Sequence, residues 1–416
     1  MKKLTLLFGS LFSFLLCSTM VLGQNLQKKT KFVYVDGQNL YTPDHKKFFI
    51  QGTNVGNWLN PEGYMFFFEN TASYRQIDQA FSEMVGPTFT KAFWRAFKKN
   101  YITKEDIKYI KSTGMNTVRV PFHYKLFTDE DYMGLTKDQN GFEILDEVIA
   151  WCKEVGLYVI LDMHDAPGGQ SGDNIDDSYG YPWLFTSKED QDLFVEIWSD
   201  IANRYKNETI VLGYDLLNEP IAHYFESDYS ILNTALEPLY IRASKEIRKV
   251  DKEHILFLGG AQWNSNFSVF KDWKFDPNIV YTPHRYWSGT DKAAIQDFLD
   301  FREKVNLPLF IGETGENTDE WVEKFRITLE ENNIGWTFWP YKKMVPKATM
   351  MVIPKPENWD LIVEYTKKDR GSFEKIRNAR PDQALVRKAM LDLLENMKFP
   401  NNKKFESYTR ALGMKP

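Results

Sequence analysis

Two glutamates, each placed where a short apolar run ends, are the side chains in this 416-residue chain best suited to chemistry. Glu219 lies at the end of the run 211–220, and Glu313 ends the run 307–313. Such runs are typical of strands buried on both faces, and Pro220 stops its strand because proline lacks an N–H. Either glutamate alone could be an ordinary strand-end residue. Together they match what glycoside hydrolysis requires, a proton donor and a nucleophile or base in one pocket.

The elements that must position these glutamates are short strands separated by amphipathic helical stretches, with Gly114 and Gly156 marking helix ends. This alternation predicts an α/β fold, a (β/α)₈ TIM barrel whose strand carboxyl ends face one cavity. Residues 24–416 are predicted to form a single domain, with an N-terminal β-hairpin lid at 32–37 and a helical C-terminal extension from Asn358. The predicted strands cover residues 48–54, 117–121, 158–164, 211–219, 254–259, 279–284, 307–313 and 334–339.

Further polar and aromatic residues follow the same strand ends. We expect Arg119 and Tyr286 to keep Glu313 ionised, and burial to keep Glu219 protonated. Each residue also has an ordinary alternative: a core ion pair for Arg119, a two-histidine metal site, or packing for the tryptophans. The remaining candidates for contact with a sugar are Trp58, His164, Asn218, Trp263, His284 and Trp339.

Composition restricts the class of protein. With 43% apolar residues the chain can bury a large core, and its formal net charge of −5 provides no basic field for nucleic acid. Its two cysteines are Cys17 and Cys152, and once a leader is removed only Cys152 remains. An internal disulfide and a thiolate metal site are therefore excluded, and we expect Cys152 to be a buried small residue on a helix.

Residues 1–23 have the form of a signal peptide: Lys2 and Lys3 precede the apolar stretch 4–22, and the mature chain is predicted to start at Gln24. This predicts export to the periplasm or the extracellular space. The bulky Leu16 argues against lipoprotein anchoring through Cys17. No later apolar segment is long enough to serve as a transmembrane segment.

The set Arg119, His164, Asn218-Glu219, His284-x-Tyr286, Glu313 and Trp339 resembles glycoside hydrolase family 5, a family of retaining (β/α)₈ β-glycosidases. The resemblance extends from about residue 48 to residue 345. It implies that Glu219 is the acid/base and Glu313 the nucleophile, with Arg119 and Tyr286 as partners of the nucleophile. It also implies a sugar-binding shell around the scissile bond, made of His164, Asn218, His284 and Trp339. It implies neither a metal nor an organic cofactor, and the partner is a β-linked polysaccharide or oligosaccharide.

Within that family, the stretch 52–62 is similar to the first-strand motif of the exo-β-1,3-glucanase branch, in which the position of Glu62 holds a terminal glucose. The loop 164–174 also resembles that branch. The expected function is hydrolysis of a β-glucan or β-gluco-oligosaccharide by double displacement. The alternatives are a β-mannanase, a glycosidase of a β-glucoside with an apolar aglycone, a transglycosylase, and a non-catalytic sugar-binding barrel. The aromatic run 64–68 either packs the first long loop, or forms an apolar wall for a lipid or steryl aglycone or an added sugar subsite.

Overall fold

The computed structural model describes residues 30–416, apart from the side chain of Asn174. The predicted signal peptide and Cys17 lie outside the described residues. Within 30–416, none of the helices is both long and apolar enough to cross a bilayer.

Eight parallel strands form the centre of the fold, in the order β7-β8-β1-β2-β3-β4-β5-β6. The circle closes through a parallel bridge between Tyr281 and Leu309, and through parallel pairing of His284–Tyr286 with Glu313–Gly315. The predicted (β/α)₈ barrel is therefore confirmed. The strands are β1 (Gln51–Asn54), β2 (Thr117–His123), β3 (Tyr158–Asp165), β4 (Val211–Asp215), β5 (Ile255–Leu258), β6 (Ile279–Tyr281), β7 (Phe310–Ile311) and β8 (Gly335–Phe338).

Helices surround the barrel, and all but the helix Phe373–Ala379 bury apolar side chains. Local signals set their limits: Ser73 and Gln76 form a capping box at the first helix, and Gly156 ends another in the left-handed conformation. Cys152 is buried on the helix 141–155, as predicted. The helices are Tyr74–Val85, Pro87–Tyr101, Lys104–Ser112, Gly141–Val155, Lys188–Tyr205, Tyr229–Val250, Gln296–Val305, Asp319–Glu331, Trp359–Thr366, Phe373–Ala379, Gln383–Asn396 and Glu406–Ala411.

The N-terminal hairpin closes the lower end of the barrel. Strands Tyr34–Asp36 and Asn39–Tyr41 pair in antiparallel fashion around the predicted turn at Gly37. Val33 and Leu40 join the apolar cluster inside the barrel, which also contains Phe257. The predicted lid is confirmed. The lower end is filled by this packing, whereas a large open cavity lies at the carboxyl ends of the strands.

Three strands end earlier than the sequence suggested. β4 ends at Asp215, four residues before Glu219, and β6 and β7 break at Pro283 and Gly312 before pairing resumes. Proline has no N–H for the ladder. At Gly312 a Cβ would lie 2.4 Å from Thr282 Oγ1, so this close approach requires glycine. These breaks leave His284 and Glu313 side by side in register.

The C-terminal extension is helical, as predicted, and it also contributes to a small sheet that the sequence did not indicate. Lys342–Lys343 pairs with Met351–Val352, which pairs with Lys403–Lys404. The sheet anchors the loop after β8, so that Lys343 is buried beside the cavity.

Candidate active site

Glu313 is held by two hydrogen bonds. Arg119 Nη1 donates to its Oε1 at 2.6 Å, and the Tyr286 hydroxyl donates to its Oε2 at 3.1 Å. The Glu313 side chain is only 6% exposed. Both expected contacts are therefore present, and together they fix the orientation of the Glu313 carboxylate.

Arg119 is the centre of a buried charge cluster inside the barrel. It forms ion pairs with Asp162 at 2.9 Å and Asp215 at 2.8 Å, and these two aspartates are neighbours in register on β3 and β4. Its guanidinium also donates to Asn54 and Asn218. Arg119 therefore forms both the core ion pair and the contact with Glu313, which the sequence had offered as alternatives. Its planar guanidinium orients the carboxylates of Asp162, Asp215 and Glu313.

Glu219 lies in a strained turn past β4. Its φ is +44°, in the left-handed region that non-glycine residues rarely adopt, and such strain is frequent at functional sites. Its Oε1 lies 2.8 Å from His284 Nδ1. Burial raises the pKa of Glu219 to about 7, while His164 and Arg119 oppose that shift. A carboxyl group with this pKa is protonated over the range in which a general acid works.

The two glutamates converge across the cavity. One carboxylate oxygen of Glu219 and one of Glu313 lie within 4.8 Å of each other, with a ring nitrogen of His284 in the same group. Retaining glycosidases place their carboxyl groups about 5–5.5 Å apart, whereas inverting enzymes need about 6.5–9.5 Å to fit a water. The observed separation fits the retaining arrangement.

His164 and His284 belong to two groups of residues with metal-ligand atoms, Asp162–His164–Glu313 and Glu219–His284–Glu313. Both groups share Glu313, whose two oxygens already accept hydrogen bonds from Arg119 and Tyr286. Burial lowers the pKa of His164 to about 4 and that of His284 to about 3, so both imidazoles are neutral at neutral pH. In each group the histidine Nδ1 already lies within hydrogen-bond distance of a carboxylate, His164 of Asp162 and His284 of Glu219, so these ring atoms serve contacts within the site.

One wall of the cavity joins Trp339 to the loop after β1. The Trp339 ring stacks on His164 with a centroid distance of 5.2 Å and an interplanar angle of 2°. Trp339 Nε1 donates to the Tyr64 hydroxyl, which donates to Glu316, and Lys343 pairs with Glu316 at 2.5 Å. This chain of contacts fixes the plane of Trp339 above the place where a sugar ring would lie.

Glu62 lies on the same wall and is buried. Burial raises the pKa of its carboxyl well above the usual range, and the negative charges of Glu313 and Glu219 add to that effect. Its Oε1 has no hydrogen-bond partner among the described residues. A buried oxygen without a partner is costly, so a sugar hydroxyl is a fitting ligand for it.

A family model described as "Cellulase (glycosyl hydrolase family 5)" matches residues 78–344. The chain belongs to glycosyl hydrolase family 5. The predicted resemblance is thereby confirmed. Family membership and the barrel agree with each other, because the matched segment contains β2 to β8 and both glutamates.

Relatives of this family 5 chain act on several β-linked glycans by name. A "Beta-xylosidase" of Phanerodontia chrysosporium is 33% identical over 61% of this chain, and the match covers 52% of that protein. "Endoglucanase C" of Acetivibrio thermocellus is 29% identical over 59% of this chain and 85% of its own length. "Glucan 1,3-beta-glucosidase 1" of Schizosaccharomyces pombe is 24% identical over 86% of this chain and 95% of its own.

Solved structures share the fold of this family 5 chain at low sequence identity. An endogalactoceramidase superposes with a TM-score of 0.55 at 17% identity, covering 74% of each chain. A rutinosidase from Aspergillus niger gives a TM-score of 0.53 at 18% identity, covering 71% of this chain and 90% of its own. These likenesses support the barrel and say nothing about substrate.

The structure places most of the predicted site residues of this family 5 member around one cavity of about 800 Å³. Arg119 lies beneath it and reaches it through Glu313. Trp58 does not line the cavity, so the prediction that it contacts a sugar ring is wrong. Its ring is buried in the outer core, and its Nε1 donates to the Lys98 carbonyl. The predicted residues that line the cavity are Glu62, His164, Asn218, Glu219, Trp263, His284, Tyr286, Glu313 and Trp339.

The aromatic run 64–68 mainly packs the first long loop, which was the first of its two predicted roles. Phe66 and Phe68 are buried against Trp359, and only Tyr64 reaches the cavity. The apolar wall proposed for this run is therefore wrong. Several residues at the site were missed, although Asp162 and Asp215 were within predicted strands and Glu316 and Trp287 follow predicted site residues closely. Those missed are Tyr64, Asp162, Asp173, Asp215, His223, Trp287, Glu316 and Lys343.

Proposed function

We propose that this chain is a retaining β-glycosidase that cleaves β-glucosidic bonds by double displacement. The observation that carries the proposal is the pair of glutamate oxygens within 4.8 Å, one glutamate held by Arg119 and Tyr286 and the other buried next to neutral His284. Family membership and the names of the relatives support the same reaction class. A β-glucoside is a better candidate substrate than a β-mannoside for two reasons taken together. Glu62 lines the cavity, and the exo-glucanase motif that residues 52–62 resemble binds a terminal glucose at this position.

In the first step the Glu313 carboxylate attacks the anomeric carbon while Glu219 donates its proton to the glycosidic oxygen. The carbon–oxygen bond breaks, the alcohol leaves, and the sugar is esterified to Glu313. In the second step Glu219, now ionised, takes a proton from water, and the oxygen of that water displaces Glu313 from the opposite face. Two inversions give a product with the β configuration, and both glutamates return to their starting states.

A substrate panel tests the proposal. Purified protein is incubated with laminarin, lichenan, carboxymethylcellulose, xyloglucan, glucomannan, mannan and aryl β-glycosides, and product lengths are analysed. We expect release of glucose or gluco-oligosaccharides, or cleavage of aryl β-glucosides. Turnover of mannan alone would refute the β-glucoside assignment, and sugar binding without any turnover would indicate a non-catalytic barrel.

The pH dependence follows from Glu219. Because its pKa is about 7 and the acid must be protonated, kcat/KM for an alkyl β-glucoside is expected to fall tenfold per pH unit above about pH 7. A matched substrate provides the control: 2,4-dinitrophenolate leaves without protonation, so its glucoside should lack this decline. An identical decline for both substrates would contradict the assignment of Glu219 as the acid.

We also infer that the protein is exported, with the mature chain beginning at Gln24. The basic and apolar pattern of residues 1–23 supports this. The mass of the protein recovered from the medium or the periplasm, compared with that of the full chain, tests the inference.

A further inference from the structure

The two sides of the cavity differ in chemistry. The side formed by the loops after β1, β7 and β8 carries Glu62, Tyr64, Glu316 and Trp339. The opposite side is formed by the loops after β4, β5 and β6, and it carries His223, Trp263 and Trp287. We call these three residues the aromatic wall. The carboxyl groups suit the hydroxyls of a sugar, whereas the aromatic wall offers mainly flat apolar faces.

The aromatic wall is held open at a cost to the fold. Trp287 is 75% exposed and has a φ of +49°, and Trp263 has a φ of +56° between left-handed Gln262 and Asn264. Such conformations are energetically unfavourable in non-glycine residues. Specific contacts maintain the turn at Trp263, since the Gln262 side chain hydrogen-bonds Asn233 and Asn266. A large ring kept exposed in a cavity in this way is suited to contact a ligand.

Several polar groups near the aromatic wall are paired within the protein, whereas Arg285 Nε has no partner among the described residues. The Gln262 amide is bonded as described, Ser265 Oγ donates to the Gln262 carbonyl at 2.6 Å, and Arg285 pairs with Asp297 at 2.7 Å. Trp263 Nε1 is a buried donor without a partner among the described residues. A second sugar ring requires several hydrogen-bond partners, so this side is better matched to a group with an apolar surface and few polar atoms.

The aromatic wall also lies on the side of the leaving group. Glu219 protonates the departing oxygen, so the departing group must lie next to Glu219. The Trp263 backbone N–H donates to the carbonyl of Pro220 at 3.3 Å, which ties this ring to the residue that follows the acid. His223 lies four residues beyond Glu219, and its ring packs edge-on against Trp263 at 4.6 Å.

From this placement we propose that the aromatic wall binds a flat apolar aglycone, so that the favoured substrates are β-glucosides of aromatic alcohols rather than glucans. The inference rests on the proposed function and narrows its substrate class. The glycosidic carbon–oxygen bond breaks as above, Glu219 supplies the proton of the released alcohol, and water regenerates the enzyme.

The test compares β-glucosides whose leaving groups are all aliphatic alcohols, so that leaving-group acidity differs little: 2-phenylethyl β-glucoside, methyl β-glucoside, laminaribiose and cellobiose. We expect kcat/KM for the phenylethyl glucoside to exceed that for each of the others by about tenfold or more, the effect of burying one aromatic face. Trp287→Ala and Trp263→Ala should each reduce this preference severalfold. Phe373→Ala, at a side chain 80% exposed on a C-terminal helix, is the matched control and should not change it.

A preference for either disaccharide, or a phenylethyl preference that survives in both tryptophan variants, would overturn the inference. If Trp263→Ala does not fold, Trp287→Ala decides, because its ring is largely exposed. Hydrolysis of 2,4-dinitrophenyl β-glucoside distinguishes failure of the proposed glucosidase function from failure of the aglycone site. Its absence in the wild type would refute the glucosidase function and the aglycone site together, whereas its presence with no phenylethyl preference would refute the aglycone site alone.

Discussion

Glu313→Gly is expected to lower kcat for an aryl β-glucoside by on the order of 10⁴-fold or more, because no covalent intermediate can form without the carboxylate. The fold should persist, since Arg119 keeps Asp162 and Asp215 as partners. Steady-state kinetics and thermal unfolding measure the two effects. Glu320→Gln, at an exposed helical glutamate, is the matched control and should retain full activity.

Added azide identifies the role of each glutamate. In Glu313→Gly the anion occupies the vacated space and attacks the substrate directly, which gives an α-glycosyl azide. In Glu219→Gly it intercepts the intermediate on Glu313 and gives a β-glycosyl azide. The opposite pair of products would exchange the two roles, and undiminished turnover by Glu313→Gly would disprove the assignment of the nucleophile.

Arg119→Met is expected to reduce the free energy of unfolding by about 3–5 kcal/mol, because it leaves Asp162, Asp215 and Glu313 buried without their cation. Activity should also be lost, since Glu313 loses one of its two donors. Equilibrium urea unfolding measures the stability. In Arg119→Met/Asp162→Asn/Asp215→Asn the buried charges are removed together, so part of the lost stability should return.

Comparing the free energy of unfolding of the single and triple variants shows whether the lost stability comes from unpaired buried charge. If the triple variant is less stable than Arg119→Met by the sum expected for two further independent losses, the cluster is held by packing rather than by electrostatics. Lys342, which is buried and pairs with Asp106 at 2.6 Å away from the cavity, provides a second site of the same kind. Lys342→Met should destabilise the fold through Asp106 without changing the position of Glu313.

The sequence was sufficient for the barrel and the two glutamates because both follow from local patterns. Apolar runs that end in polar residues define strand ends, and parallel strands in a closed barrel bring those ends to one side. Arg119 was identifiable from its place in the second predicted strand, whereas its partners Asp162 and Asp215 on β3 and β4 were missed, because their pairing with Arg119 appears only once the strands are in register.

The details that failed depend on contacts between distant loops. Trp58 follows β1 as a cavity residue would, yet its indole N–H reaches the helix 87–101 and turns the ring into the core. Trp287 was missed, because its left-handed conformation occurs at a position where no glycine or asparagine indicates it. In the run 64–68, Tyr64 reaches the cavity because its hydroxyl bonds Glu316, which lies on a loop distant in sequence. Nothing in the run itself distinguishes Tyr64 from its buried neighbours.

The anomeric configuration of the first product tests the central claim most directly. ¹H NMR during hydrolysis of an aryl β-glucoside, recorded before mutarotation, should show the β-anomer of glucose appearing first and the α-anomer growing only later. Initial formation of the α-anomer would mean direct displacement by water, and it would contradict two glutamates that lie within 4.8 Å and act by double displacement.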